Sequence, residues 1–191
     1  MEPSPNVGWL TAIHAASPTD VWVVGQRGAT PGQSSGSVYQ TLVEHWDGTS
    51  WRVVPTPSTS ADFNLLESVG GRAGDVWAVG SAWESTQPRA PLVLHGDGAG
   101  WRIAPNADAV PSDASLSDVA VVSSTEVFAV GSAAGRTLVE RWNGSSWQVD
   151  PTPSPGDMDD LFGIDVAPSG AWAVGSTGGA SGIRTLTLQK Q

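Results

Sequence analysis

Short stretches rich in β-branched and aromatic residues recur along the whole chain, separated by turn residues. One phrase of the type Asp-Val-Trp-Ala-Val-Gly occurs four times, at 20–25, 75–80, 126–131 and 170–175. A second phrase runs from Leu42 to Trp51 through Asp-Gly, and it recurs at 92–101 and, with Asn-Gly, at 138–147; the leucine-to-tryptophan distance is nine residues each time. Short apolar segments bounded by turn residues are typical of β-strands. The pattern therefore predicts a chain of repeated short strands.

The repeats have a common internal order. A Leu-x-x-Ile/Val pair precedes each first phrase, as in Leu10 and Ile13. In the first repeat this order predicts strand A around 10–15, strand B at 21–25, strand C at 42–46 and strand D at 51–54. Asp-Gly or Asn-Gly between C and D favours a hairpin because these residues tolerate positive φ. Four antiparallel strands in roughly 45 to 50 residues are typical of a propeller blade.

The predicted fold class is all-β, a β-propeller of four blade-like repeats of four antiparallel strands, with three strands in the last blade. We expect one domain over 1–191, with blades at about 6–58, 59–106, 107–154 and 155–191. Three arrangements remain open: a closed four-bladed ring, part of a longer propeller, or half of a ring made by two chains. The polar last strand, which ends near Lys190, mildly favours the closed ring because a charged edge resists further pairing. Otherwise a second copy of the chain, or flanking sequence, would complete the ring.

The two phrases resemble the tryptophan-rich propeller repeats of bacterial proteins described as kelch-like or galactose-oxidase-like. The Asp-Gly-x-x-Trp turn is similar to the Asp-box of sialidase-type and photosystem-assembly-type propellers. The resemblance implies a fold rather than an activity, because propellers include lectins, hydrolases, oxidases and scaffolds. Two positions depart from it: Gly96 stands where the other repeats have Trp46 and Trp142, and the fourth repeat lacks the Asp-box. Sialidase chemistry is not implied, since the single tyrosine, Tyr39, is expected in a loop.

Ten tryptophans in 191 residues would suggest a binding surface, but most of them fall on repeat positions. Eight are predicted to pack the blades: Trp22, Trp77 and Trp172 in B strands, where Phe128 is their equivalent, Trp51, Trp101 and Trp147 in D strands, and Trp46 and Trp142 in C strands. Trp9 and Trp83 lie off the repeat. They are therefore candidates for stacking on a sugar or on a partner's side chain, although an irregular aromatic residue often simply covers a loop.

Composition excludes several classes of function. The chain carries 19 acidic and 9 basic residues, for a net charge of −10, which disfavours nucleic-acid binding. It has no cysteine, so disulfides, thiolate catalysis and zinc–thiolate sites are excluded. No apolar run is long enough for a membrane-spanning helix, and we expect no membrane insertion. No cofactor and no metal are predicted. The first residues lack signal-peptide features; the compartment stays open, including an extracellular one if the chain belongs to a longer exported protein.

The connection between strands B and C varies most in length. From the B-strand glycine to the C-strand leucine the distances are 17, 12, 7 and 11 residues. In a propeller the B–C and D–A connections emerge on one face, and variation on one face of a repeat array is typical of a binding surface. The candidate B–C segments are 26–40, 81–91, 133–136 and 177–183. The candidate side chains on this face are Trp9, Tyr39, Trp83, Asp62, Asp157, Asp159 and Asp160.

Two interpretations of the four aspartates are open. Converging carboxylates could hold a cation. Aspartate is also a common turn residue, and we favour this second interpretation because no Asp-x-Asp-x-Asp-Gly loop occurs. His14 and Asp165 on A strands are weak candidates for a pair facing a central channel. His45 and His95 occupy one repeat position, which we interpret as a tolerant surface site. No set of nucleophile, base and orienting group can be assembled.

The leading hypothesis is a non-catalytic propeller scaffold that binds a protein or glycan through its variable loops. The alternative is a lectin that uses Trp9 and Trp83 as stacking platforms. A further alternative is an enzyme, a hydrolase or lyase, with aspartates of the same face in catalysis.

Overall fold

The computed structural model describes residues 8–28, 38–59, 61–179 and 182–190, which contain fifteen β-strands. The first three blades have four strands each, and the fourth has three, as the repeat predicts. The strands are β1 (Trp9–Ser17), β2 (Asp20–Gly28), β3 (Tyr39–Trp46), β4 (Trp51–Val53), β5 (Phe63–Arg72), β6 (Asp75–Trp83), β7 (Ala90–Gly96), β8 (Trp101–Ile103), β9 (Ala114–Ser123), β10 (Glu126–Ala133), β11 (Arg136–Trp142), β12 (Trp147–Val149), β13 (Met158–Ala167), β14 (Gly170–Gly179) and β15 (Gly182–Lys190). Within these segments no helix is long and apolar enough to cross a membrane.

Each blade is an antiparallel meander in chain order. The first two blades are also joined edge to edge, because Tyr39 pairs in parallel with Phe63 and its N–H donates to the Asp62 carbonyl at 2.7 Å. Tyr39 is the first residue of β3, so the prediction that it lies in a loop was wrong. A backbone bridge to the next blade extends strand C beyond its apolar phrase.

A β-bulge interrupts each inner strand between the leucine and the Ile/Val of the Leu-x-x-Ile/Val pair. In a regular strand, residues three apart point to opposite faces. The bulge adds one residue, here Thr11 in β1, so that Leu10 and Ile13 face the same way. The sequence pattern is therefore a consequence of a bulge repeated four times.

The hydrophobic core lies between blades rather than within one central cluster. The first junction packs Val24 and Val43 of the first blade against Leu66, Val69 and neighbouring residues of the second. Equivalent clusters fill the second and third junctions. Most of the repeat tryptophans follow the prediction that they pack the blades. Trp77 and Trp147 are buried in the second junction and Trp142 packs against its core, while Trp22 and Trp101 pack against the first.

His45 and His95 are not tolerant surface residues, and this interpretation was wrong. The His45 ring stacks on Trp22 with centroids 4.1 Å apart, and its Nε2 lies 2.7 Å from an Asp20 carboxylate oxygen. His95 repeats this arrangement with Trp77 and Asp75. In the third blade the same positions hold Arg141, Phe128 and Glu126, again an ion pair beside an aromatic ring. In these three blades the position therefore holds a group that pairs with the acid and lies against the ring.

The inner strands form an open arc. Strand β5 packs against β1 and β9, and β9 packs against β13, whereas no comparable packing joins β13 to β1 within the described segments. Ile13 of β1 is 67% exposed, while Val69, its equivalent in β5, is 6% exposed. Val174 and Phe162 of the fourth blade are also exposed. The mild preference for a closed four-bladed ring is therefore not supported, since the two terminal blades leave their outward faces uncovered.

Candidate functional site

The D–A and B–C connections lie on one face, which we call the top face. Two hydrogen bonds on this face link neighbouring blades: Ala114 N–H donates to the Arg89 carbonyl at 3.0 Å and Asp159 N–H to the Gly135 carbonyl at 2.9 Å. Within the third blade, Ala134 N–H donates to the Asp113 carbonyl at 3.0 Å. Loops that bond across blades form a continuous surface. Parts of the candidate B–C segments, 29–37 and 180–181, lie outside the described residues.

An aromatic row crosses the top face of the first two blades; it consists of Trp9, Tyr39, Phe63 and Trp83. Successive ring centroids are 5.9, 5.7 and 4.7 Å apart. Phe63 is stacked on both Tyr39 and Trp83, with interplanar angles of 21° and 10°. The Arg89 guanidinium lies over the Trp83 ring, 5.2 Å from its centroid. The row thus ends in a cation–π contact.

Four different strands position this row, each at its top end. Trp9, Tyr39 and Phe63 open β1, β3 and β5, and Trp83 closes β6. The Tyr39–Phe63 bridge holds the first blade's third strand beside the second blade's inner strand. Antiparallel pairing of Phe63 with Trp83 places their rings side by side. Three of the four residues are those proposed from the sequence as Trp9, Tyr39 and Trp83, and the structure brings them together.

Phe63 is the residue that sequence reasoning missed. Its counterpart three residues before the inner-strand leucine is Asp113 in the third blade and Met158 in the fourth. An aromatic residue off the repeat was the signal that singled out Trp9 and Trp83, and the same signal applies to Phe63. The row lines an open pocket of about 320 Å³, together with Gln26 and Leu65.

A second depression of about 390 Å³ continues from Trp83 and Arg89 toward the inner strands. The bulge residues Glu67, Ser117 and Phe162 of three successive inner strands all line it. Phe162 is 59% exposed. This depression therefore has the polar residues Glu67 and Ser117 between the aromatic residues Trp83 and Phe162.

The four candidate aspartates do not converge. Asp62 accepts hydrogen bonds from the N–H and hydroxyl of Ser85, which tie a D–A connection to a B–C connection. Asp157 N–H donates to the Gly178 carbonyl, and Asp160 pairs with Ser176 within the sheet. Within the described part of the chain, no three acidic or histidine side chains are grouped to hold a metal ion.

Asp159 has a structural role that a second blade shares. Its carboxylate accepts the Gly156 N–H at 2.9 Å, and Asn64 at the equivalent position accepts the Thr59 N–H at 2.8 Å. The Thr177 hydroxyl and the Gly156 N–H hold the pKa of Asp159 below its usual value, because they stabilise the charged form. An acceptor at this position therefore fastens the D–A connection to the inner strand.

His14 and Asp165 are not hydrogen-bonded to each other in the described residues. His14 Nε2 lies 2.8 Å from the Gly71 carbonyl oxygen, and the Asp165 carboxylate accepts the N–H of Val166. The polar residue that links inner strands is instead Asp118. It accepts the Ser68 hydroxyl of β5 at 2.6 Å and the Ile164 N–H of β13 at 2.8 Å. Asp118 therefore connects three blades near the axis of the arc.

Comparison with known proteins rests on structure. No protein-family model matches the chain, and no curated protein matches it in sequence. Among solved structures it is similar to "YCF48 bound to D1 peptide", with a TM-score of 0.62 and 16% identity over 96% of this chain and 52% of that one. It is also similar to YCF48 from Cyanidioschyzon merolae, with a TM-score of 0.55 and 14% identity over 94% of this chain and 50% of that one. The chain spans about half the length of these structures. Together with its repeated four-stranded sheets, this likeness shows that the chain has a β-propeller fold.

Proposed function

We propose that the chain is a non-catalytic propeller scaffold that binds an extended segment of a partner protein along the aromatic row. The observation that carries the proposal is the contiguous series of Trp9, which is exposed, and the half-buried Tyr39, Phe63 and Trp83, which together line an open pocket and end at Arg89. Tyrosine, tryptophan, phenylalanine and arginine are the residues enriched in protein interfaces and their hot spots. The aromatic side chains among them are rigid and lose little conformational entropy on binding.

The row fits a protein better than a glycan. Stacking on a sugar needs a free aromatic face, but the Trp83 ring already contacts Phe63 and Arg89, and Phe63 lies between Tyr39 and Trp83. What these rings offer a ligand is mainly edges and the grooves between them, which suit aliphatic, proline and aromatic side chains. Trp9, 59% exposed and tilted by 51° to Tyr39, is the one member of the row that keeps an open face for the lectin alternative.

One of the similar structures is that of YCF48 bound to a D1 peptide, which provides a precedent for peptide binding by this fold. At 16% identity the likeness concerns the fold. Support for peptide binding by this chain therefore comes from its own aromatic row. The enzyme alternative has less support, because the candidate aspartates are separate and already accept hydrogen bonds in turns.

The test is a selection of peptides from a displayed random library on the immobilised chain, followed by affinity measurement of the selected peptides by calorimetry. We expect Phe63→Ala and Trp9→Ala to weaken binding by about tenfold or more, as for hot-spot aromatics. Trp46→Ala, a tryptophan away from the row, is the matched control and should leave the affinity unchanged. Peptides that bind equally well to the Phe63 and Trp9 variants would contradict the proposal. Glycan binding that depends on Trp9, without any selected peptide, would favour the lectin.

A further inference from the structure

A cleft of about 510 Å³ opens between the first and second blades, away from the top face; we call it the junction cleft. One wall is formed by Asp20, Trp22, His45 and Arg52 of the first blade, and the opposite wall by Gly96, Trp101 and the turn around Ala99 of the second. The turn at Gly98 lies against the β5–β6 turn at Gly74, which places the cleft at the end of the blades opposite the B–C connections. Its volume is within the roughly 300 to 1,000 Å³ typical of ligand sites.

The Trp22 ring lines this cleft because one repeat position has no side chain. At the second junction Trp142 of the third blade lies on Trp77 of the second, with centroids 5.2 Å apart. The equivalent residue of the second blade is Gly96, so Trp22 receives no such partner. Trp22 contacts Trp101 edge to face at 5.5 Å, as Trp77 contacts Trp147 at 5.3 Å. The two junctions therefore share the paired tryptophans, but only the second has an indole over the B-strand tryptophan; a depression of about 440 Å³ remains there beside Trp142.

The remaining walls keep the space open. Gly74, Gly96, Gly98 and Gly100 line the cleft without side chains, and Ala99 adds one methyl group. The Trp22 ring cannot readily rotate into the space because it is stacked on His45, which is in turn held by Asp20 at 2.7 Å and by Arg52 at 3.3 Å. The Arg52 side chain is 61% exposed at the rim. A flat aromatic wall, a glycine-lined wall and a cation at the rim together form the site.

We propose that the junction cleft binds the indole ring of a tryptophan side chain presented by a partner polypeptide. The second junction shows what fits: Trp142, presented from a strand, covers the equivalent Trp77, with ring centroids 5.2 Å apart and the rings tilted by 51°. Burial of an indole between aromatic surfaces is favourable through apolar area and offset or edge-to-face contacts. The Arg52 guanidinium adds a cation that can lie over the bound ring. This site is separate from the aromatic row and does not depend on it.

The probes are N-acetyltryptophanamide, which mimics the side chain with its flanking amides, and free indole. We expect saturable binding of N-acetyltryptophanamide to one site, at roughly millimolar affinity for a ligand of this size, measured by ligand-observed NMR titration. Gly96→Trp, which restores the residue of the other two blades, should abolish it. The new Cβ would lie 3.0 to 3.2 Å from atoms of the Trp101 ring, so that ring has to shift slightly.

Ala99→Trp provides a second variant that fills the cleft from an exposed turn and leaves Gly96 unchanged. We expect it to weaken binding by about tenfold. Ser145→Trp, at the equivalent turn position of the third blade, is the matched control and should bind as the unmodified chain does. The proposal would be overturned by no saturable binding of N-acetyltryptophanamide, or by binding that persists in both cleft-filling variants. If indole binds saturably and N-acetyltryptophanamide does not, the cleft binds a small aromatic ligand, and the proposal of a polypeptide partner is wrong.

Discussion

At the scale of single residues, the glycine that closes each B-strand phrase is required by the neighbouring bulge. A Cβ added at Gly25, Gly80, Gly131 or Gly175 would lie 1.9 to 2.0 Å from a backbone carbonyl oxygen of the inner strand. Real atoms do not approach so closely, so the backbone itself would have to move. The repeated glycine is therefore explained by the close approach of two strands, at positions where φ is not positive.

Gly80→Ala is expected to destabilise the fold by at least about 2 kcal/mol, because the new methyl group would collide with the Leu65 carbonyl oxygen. Urea unfolding followed by tryptophan fluorescence measures the effect. Gly28→Ala is the control, since nothing lies within 4 Å of its added Cβ, and its stability should change little. Equal stabilities of the two variants would contradict the role assigned to the bulge.

Glu140 is a buried carboxyl at the second junction. Burial raises its pKa from 4.5 to about 7, and the Ala107 N–H, 3.4 Å from one carboxylate oxygen, offsets this in part. The folded chain therefore binds a proton at Glu140 at pH values where the unfolded chain has released it. This contribution to stability is full below about pH 4.5 and is lost as the pH rises toward 7.

We expect Glu140→Gln to remove that pH dependence and to be more stable than the unmodified chain at pH 8, by roughly 3 kcal/mol at most. The measurement is the free energy of unfolding between pH 5 and 8. The lowered pKa values of Asp47 and Asp159 affect stability below this range. The exposed Glu84→Gln serves as control and should keep the slope. An unchanged slope in the Glu140 variant would show that this carboxyl is ionised throughout.

At the scale of elements, equivalent C strands make different contacts in different blades, depending on which blades lie beside them. Trp46 contacts Trp51 within its own blade, whereas Trp142 reaches across the junction to Trp77. The hairpin pairing is the same in both, Trp46 with Trp51 and Trp142 with Trp147. The difference is that Trp142 has a blade before it to pack against, and Trp46, in the first blade, does not.

Trp142→Ala should therefore cost about 3 kcal/mol of stability, while Trp46→Ala should cost roughly half of that or less. The physical reason is that Trp142 also loses its contacts with Trp77 of the preceding blade. Chemical denaturation of the two variants side by side measures the difference. If both substitutions cost the same, the contact between blades would contribute little.

The strands themselves could be predicted closely from the sequence. Strand B of the first blade was expected at 21–25 and occurs at Asp20–Gly28, and strand D was expected at 51–54 and occurs at Trp51–Val53. Strand C was expected at 42–46 and is longer, Tyr39–Trp46, because Tyr39 joins the sheet through a bridge to Phe63 of another blade. Local phrases carry strand and turn preferences, but a contact between residues of different repeats leaves no local pattern.

At the scale of the whole molecule, the arc has two uncovered ends. Leu10 of β1 is 46% exposed, although its equivalents Leu66, Leu116 and Leu161 are completely buried at the junctions. At the other end Val174 is 52% exposed. Successive blades bury these same surfaces against each other. The exposed face of the last blade could therefore pack against the exposed face of a first blade.

We expect the chain studied by itself to self-associate through these ends, because burial of such apolar faces is favourable. Sedimentation velocity over a range of concentrations measures the association. Ile13→Asp should shift the chain to the monomer by placing a charge on the exposed face of β1. Ile103→Asp, at an exposed apolar residue of the outer strand β8, is the control. A monomer at every concentration would contradict the expectation.

The sequence by itself determined the repeat, the strand order within each blade and the tight C–D turns, because these depend on residues close together in the chain. It also identified Trp9, Tyr39 and Trp83 as residues that the repeat does not explain. Only the tertiary structure decided that they form one row with Phe63, that the absence of an indole at Gly96 leaves Trp22 lining a cleft, and that the arc stays open. Each of these depends on how separate blades meet, and the contacts between blades join residues that are far apart in the sequence.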